Sequence, residues 1–309
     1  MAESASERAE RLAATPFETV TASSTGAVHG FIRAVRDILG QRELLDRLIR
    51  RELTAKYKDS SLGFLWTLIR PLVMLAIYYF AIGQVLGAER GIPSFAIFVF
   101  AGLTLWGLFS EIVTSGTSSI ISNAGLIKKV YLPREIFPLA ATGAALFNFA
   151  VQCVVLVAAT IVLLEFPWHS EIFYAIPAAG VTLVFAVGTA ILLSAVNVYL
   201  RDVQYLVEVA LLVAFWVSPI VYSFGFVVNA MEERQLPAWL AEIYLLNPIT
   251  VAIIAFQKAV WIRGETAPGV VYPEHLELRL LVMFLIGCVF VWIAQRVFDR
   301  LQGNFAQEI

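Results

Sequence analysis

Long apolar runs with few charges alternate along this chain with short polar stretches that gather most of the charge. Six runs are long enough to be membrane-crossing helices: about 64–86, 92–114, 136–164, 172–200, 207–225 and 279–297. At ~1.5 Å per residue the first reaches ~35 Å, more than the ~30 Å of a hydrocarbon core. Pro71 lies in its first turns and is expected to kink it. A further uncharged run, 243–257, is shorter and is interrupted by Asn247-Pro248. It reads as a re-entrant or interfacial segment rather than a span. Residues 224–279 then form one non-cytoplasmic region with short helices at the outer surface.

Ahead of the first span, residues 29–60 repeat apolar positions at helical spacing. Phe31, Ile32, Val35, Ile38 and Leu39 form one set; Leu44, Leu45, Leu48, Ile49 and Leu53 form another, with Gly40 between two short helices. Arg33, Arg36, Arg42, Arg47, Arg50, Arg51, Lys56 and Lys58 lie among them. Basic amphipathic helices of this kind lie in the headgroup plane; a soluble helix packed on a partner domain has the same pattern. Residues 1–28 read as a flexible cytoplasmic tail without the apolar core of a signal peptide. Residues 301–309 read as a second cytoplasmic tail, and 61–300 as the transmembrane domain.

Composition sharpens this. The chain is 59% hydrophobic and 15% charged, against ~45–50% and ~25% for a soluble domain. The expected fold is an all-α integral membrane protein of six transmembrane helices. A net charge of -2 gives no bulk attraction to nucleic acid. The two cysteines, Cys153 and Cys288, fall inside apolar runs and read as small packing residues. With the N-terminus inside, 17 of the 22 Lys and Arg residues are cytoplasmic and five are outside. That bias supports both termini in the cytoplasm.

No phosphate-cradling glycine loop, metalloprotease motif or zinc spacing occurs. The span cores carry no charged residue, which argues against a transporter driven by its own ion gradient. They do hold Asn148 and Gln152, four residues apart on one helix face. These are either a polar stripe on a conduit or hydrogen-bonded glue between helices. Aromatics are dense, among them Tyr78, Tyr79, Trp106, Phe109, Phe215, Trp216 and Tyr222. They are candidates for lining a passage whose ring faces stack on sugars, or for lipid-facing belts and core packing.

The stretch Gly116–Pro138 joins two apolar runs and must therefore turn at a membrane surface. Its Lys128, Lys129 and Arg134 alternate with Leu126, Ile127, Val130, Tyr131 and Leu132, and Pro133 and Pro138 close it. It reads as a short amphipathic helix that a soluble partner grips, or as an interfacial turn whose lysines only set topology.

Several segments together resemble ABC-2-type polysaccharide exporter permeases. They are RELTAKYKDSSLGFLWTLIRPLVML (51–75), GLTLWGLFSEIVTSGTSSIISNAGLIKKVYLPREIFPL (102–139), NVYLRDVQYLVEVALLVAFWVSPIVYS (197–223) and LNPIT (246–250). The resemblance covers about 42–300. It implies a homodimer working with two copies of a separate ATPase subunit, which binds the ATP and Mg²⁺; this chain itself takes no cofactor. The implied cargo is a lipid-linked polysaccharide such as O antigen, capsule, teichoic acid or galactan. Asn123 to Arg134 would be the coupling helix seated in the ATPase, with Arg201 and Asp202 a second contact. The helix carrying Arg50, Arg51, Lys56 and Lys58 would lie at the cytoplasmic interface, and with Arg70 these residues would attract a lipid pyrophosphate, unless they serve only to set topology. Trp239, Tyr244 and Trp261 would border the exit. The competing classes are a small-molecule or drug exporter of the same superfamily, a membrane-embedded glycosyltransferase and a membrane scaffold.

Overall fold

The computed structural model describes residues 36, 40–57, 65–85, 87, 91–129, 132–265 and 270–308. Residues 1–28, most of the first predicted interfacial helix, Lys58, Val130 and Tyr131 lie outside them. All regular structure among the described residues is helical. Helix α1 (Arg42–Tyr57) precedes α2 (Trp66–Tyr78), which a π-helical segment extends to Val85. Then follow α3 (Phe95–Ser122), the single turn α4 (Ala124–Ile127), α5 (Ile136–Val162) and α6 (Ala175–Tyr199). The second half holds α7 (Val203–Val217), α8 (Phe224–Glu233), α9 (Trp239–Leu245), α10 (Pro248–Val260), α11 (Leu276–Leu301) and α12 (Phe305–Glu308).

Among the described residues five helical segments are long and apolar enough to cross a membrane, and the pair α9–α10, bent by 86°, raises the number to six if it counts as one span. The predicted fifth span, 207–225, is not a continuous helix. It ends at Val217 because Pro219 cannot continue a helix and holds Ser218 extended, at φ -84° and ψ 146°. The fifteen residues of α7 reach only ~22 Å at ~1.5 Å each.

Helix α3 is the centre of the bundle, with 67% of its most apolar window buried, against 6% for α2 and its extension. It packs on α5 and α6, and α6 packs in turn on α11. Close approach of α3 and α6 depends on Gly116, where a Cβ would come within 2.5 Å of the Ala190 Cβ. The polar run that follows Gly116 stays helical for two more turns rather than starting a loop. Its hydroxyls bond back to the helix carbonyls: Thr117 to Val113 at 2.7 Å, Ser119 to Gly116 at 2.6 Å and Ser122 to Ser118 at 2.9 Å.

Helix α10 is buried nearly throughout, packed on α3 and α6, and its few polar side chains, Thr250, Gln257 and Lys258, fall on one side. It is embedded in the bundle instead of lying on an outer surface. Asn247 caps it, its side chain accepting from the Ile249 amide at 3.0 Å, with Pro248 in the first turn. Its far end is held by four contacts. The Gln257 amide donates to the Pro219 carbonyl at 3.0 Å, and the Trp261 indole donates to the Pro93 carbonyl at 2.6 Å. Lys258 pairs with Glu171 at 3.1 Å, and Arg263 with Glu165 at 2.7 Å.

Candidate functional site

The turn between α3 and α5 is built around Asn123, which ends α3 and begins α4. Its amide donates to the Ser119 carbonyl at 2.8 Å, and its carbonyl oxygen accepts from the Arg51 guanidinium. Helix α4 is one turn, shorter than the helix expected over 123–134. Leu126, Ile127 and Leu132 turn inward against a cluster containing Leu48, Ile120, Ile136 and Phe137. Lys128 and Lys129 point to solvent. Arg134 lies over the Phe305 ring, 5.5 Å from its centre. Arg201 and Asp202, exposed, form the turn between α6 and α7. The turn carrying Lys128 and Lys129 thus has an apolar inner side and a cationic outer side.

Helix α1 packs along α5, with Leu48 buried and Ile49 filling the space that a Cβ on Gly143 would occupy. Three of the five residues expected to admit substrate have partners within the chain. Arg50 pairs with Asp46 at 2.8 Å, Arg51 with Glu52 at 3.0 Å, and Lys56 with Glu111 at 2.5 Å. Arg70 lies in the second turn of α2.

Glu111 corrects the expectation of uncharged span cores, because it sits well inside α3, a candidate span. It also accepts from the Asn148 amide at 2.6 Å. Asn148 is 1% exposed and forms a contact between α5 and α3. Gln152, one turn on, faces the same helix: a Cβ on Gly107 would lie 3.5 Å from its carbonyl oxygen.

Five of the aromatic candidates meet where α2, α3 and α7 adjoin. Tyr78 stacks on Phe215 at 5.8 Å between centres and meets Trp216 edge-on at 6.5 Å. Trp106 contacts Phe109 at 5.6 Å and Phe215 at 5.8 Å. Tyr79 packs against the same apolar cluster, and its hydroxyl accepts from the Gln84 amide at 3.0 Å. The Tyr222 hydroxyl lies 2.9 Å from the carbonyls of both Trp216 and Val217, closing the end of α7, and 3.4 Å from the Tyr244 hydroxyl.

A family model described as ABC-2 type transporter matches residues 43–261, more than half of the chain. The chain belongs to the ABC-2 type transporter family. It is 28% identical over 281 residues to the O-antigen export system permease protein RfbA of Myxococcus xanthus, covering 90% of this chain and all of the relative. It is 26% identical to the RfbA protein of Klebsiella pneumoniae, over 86% of this chain and 94% of that one. It is 22% identical to the polysialic acid transport protein KpsM of Escherichia coli, over 82% and 92%.

As an ABC-2 membrane domain the chain is a transport component rather than an enzyme. Sequence reasoning missed two residues at its turn-bearing end. Glu135, at the start of α5, is 5% exposed, and burial raises its pKa above the usual carboxylate range. Phe305, in the supposed tail, is fully buried between Phe298, Tyr199 and Arg134. The available signal for Phe305 was a lone aromatic four residues after a helix whose last turn carries Asp299 and Arg300, which is weak. For Glu135 there was none beyond its place beside the turn.

Proposed function

We propose that this chain is the permease subunit of an ATP-driven exporter that moves a lipid-linked polysaccharide across the cytoplasmic membrane. The observation that carries the reading is that relatives named as polysaccharide export permeases match it over most of its length and theirs. Two copies work with two ATP-binding subunits, which bind and hydrolyse ATP with Mg²⁺. Both termini lie in the cytoplasm. The partner grips the turn from Asn123 to Arg134, with Lys128 and Lys129 outward and Leu126 and Ile127 seated in the bundle. Arg201 and Asp202 give it a second hold. Closure of the ATPases levers the turn, and through α3 and α5 the motion parts the helices near the aromatic group.

Ring faces suit a sliding glycan because they stack on the C–H faces of sugars without holding them tightly. Tyr78, Trp106, Phe109, Phe215 and Trp216 are the side chains proposed to line that path. The basic residues of α1, with Arg70, draw the anionic headgroup of the carrier lipid to the cytoplasmic mouth. The test is deletion of the chain in its host. Lipid-linked glycan is expected to accumulate on the cytoplasmic side, and restoring the chain is expected to clear it. Polymer reaching the outer face at the normal rate in the deletion strain overturns the reading.

A further inference from the structure

Glu135 directly follows the turn that carries Lys128 and Lys129, and it begins α5. Its carboxylate is buried, and its side-chain partners are amides from the far end of the chain. Gln295 Nε2 donates to it at 2.8 Å and Gln302 Nε2 at 3.4 Å. The same two amides also donate to Asp299, each at 3.0 Å. Next to this contact the Phe305 ring is held by Phe298 at 5.6 Å, Tyr199 at 6.2 Å and the Arg134 guanidinium at 5.5 Å. The Tyr199 hydroxyl donates to the Leu301 carbonyl at 2.7 Å. The last turn of α11 and its extension therefore touch Arg134 and Glu135 of the first turn and Tyr199 just before the second.

A buried carboxylate that shares its amide donors with a second carboxyl group, Asp299, and has no cation beside it among its named partners is a poor choice for stability alone. Burying the charge is costly, and an apolar side chain of similar volume would pack without that cost. What the arrangement does give is direction: hydrogen bonds from Gln295 and Gln302 fix Glu135 to α11 and its extension in one register. We infer that Glu135 and Gln295, with Phe305 seated beside them, are positioning residues that carry displacement of the coupling turn into α11. Without them the turn would drive α3 and α5, to which it is covalently joined, and reach α11 only through the apolar cluster that Leu126 and Ile127 share with Ala294 and Phe298. The inference rests on the exporter reading above, because it presumes that a partner moves the turn.

The test is made on the complete complex with its ATPase subunits, reconstituted in vesicles, reading polymer exported per ATP hydrolysed. Glu135→Ala and Gln295→Ala are each expected to lower that ratio roughly 2- to 30-fold, with assembly and ATP hydrolysis retained. Since both remove the same contact, the double variant is expected to be no worse than the poorer single one. Glu135→Gln keeps an acceptor for the Gln295 amide and is expected to restore most of the ratio. Singles with an unchanged ratio, or a double whose loss is the product of the two, overturn the inference. So does a Glu135→Gln variant that fails as Glu135→Ala does. If the unmutated complex exports polymer with no nucleotide present, the exporter reading itself falls, and a wild-type control in every series separates that outcome from the others.

Discussion

At the scale of single residues, Gly116 is tightly constrained by a neighbouring helix. A methyl group there would meet the Ala190 Cβ at 2.5 Å and its Cα at 3.3 Å, so two central helices would have to separate. Gly107, three turns earlier on α3, meets nothing nearer than the Gln152 amide at 3.5 Å. Gly116→Ala is therefore expected to lower stability by about 1–3 kcal/mol. Gly107→Ala is expected to be neutral or to raise it by up to about 1 kcal/mol through helix propensity. Thermal unfolding in detergent compares them, and equal effects would show that α3 and α6 have room to spare. Nothing in the sequence distinguishes these two glycines, because the difference lies in a neighbour some 74 positions away. The face shared by Asn148 and Gln152 was legible, since helical spacing alone fixes it. Which helix that face meets was not, and Glu111 supplied the answer. Glu135 was illegible for the same reason: beside Arg134 and two prolines, a carboxylate reads as solvated, and only the return of α11 buries it.

At the scale of elements, local chemistry predicted what it controls and no more. The break before α10 followed from Asn247-Pro248, a cap and a first-turn proline. The early end of α7 followed from Pro219, although hydropathy averaged across it hid the break. The burial of α10 also had a signal, the near absence of polar positions from Pro248 to Phe256. The docking of α1 is different, because its basic face reads equally as bound to headgroups or bound to protein. The structure ties it down through Lys56 to Glu111 and through Arg51 to Asn123. This tie has an electrostatic test. In a background lacking Cys153 and Cys288, a cysteine replacing buried Leu48 reports on whether α1 stays seated. Lys56→Glu places two acids together, and labelling of that cysteine by a water-soluble maleimide is expected to rise several-fold. Adding Glu111→Lys restores opposite charges and is expected to bring labelling back down. Labelling that ignores both changes would mean that apolar packing alone holds α1, with the ion pair incidental.

At the scale of the whole molecule, the question is what covers the outer side of α2 and α7. These two helices meet through Tyr78 and Phe215 and together expose Leu72, Val73 and Ile77 on one and Leu206, Val209, Leu212 and Val213 on the other. Lipid would satisfy those side chains. It would not satisfy Glu208, which is exposed on α7 near Tyr205 and Leu212. A carboxylate one or two turns into a span is costly against hydrocarbon but acceptable beside water or a protein partner. Helix α11 exposes Leu281, Leu285 and Val289 with no charged residue between them, as a lipid-facing helix should; Arg279, ahead of them, pairs with Glu242. A second copy joined across α2 and α7 would bring two aromatic groups face to face, and a passage between copies would give Glu208 water. In the same cysteine-free background, a single cysteine at Leu212 is therefore expected to cross-link two copies in native membranes, while one at Leu285 stays monomeric. Cross-linking at Leu285 instead would move the seam to α11 and turn the aromatic group toward lipid. The cross-link at Leu212 would place Tyr78, Trp106 and Phe215 at the mouth of a path that one copy cannot close alone.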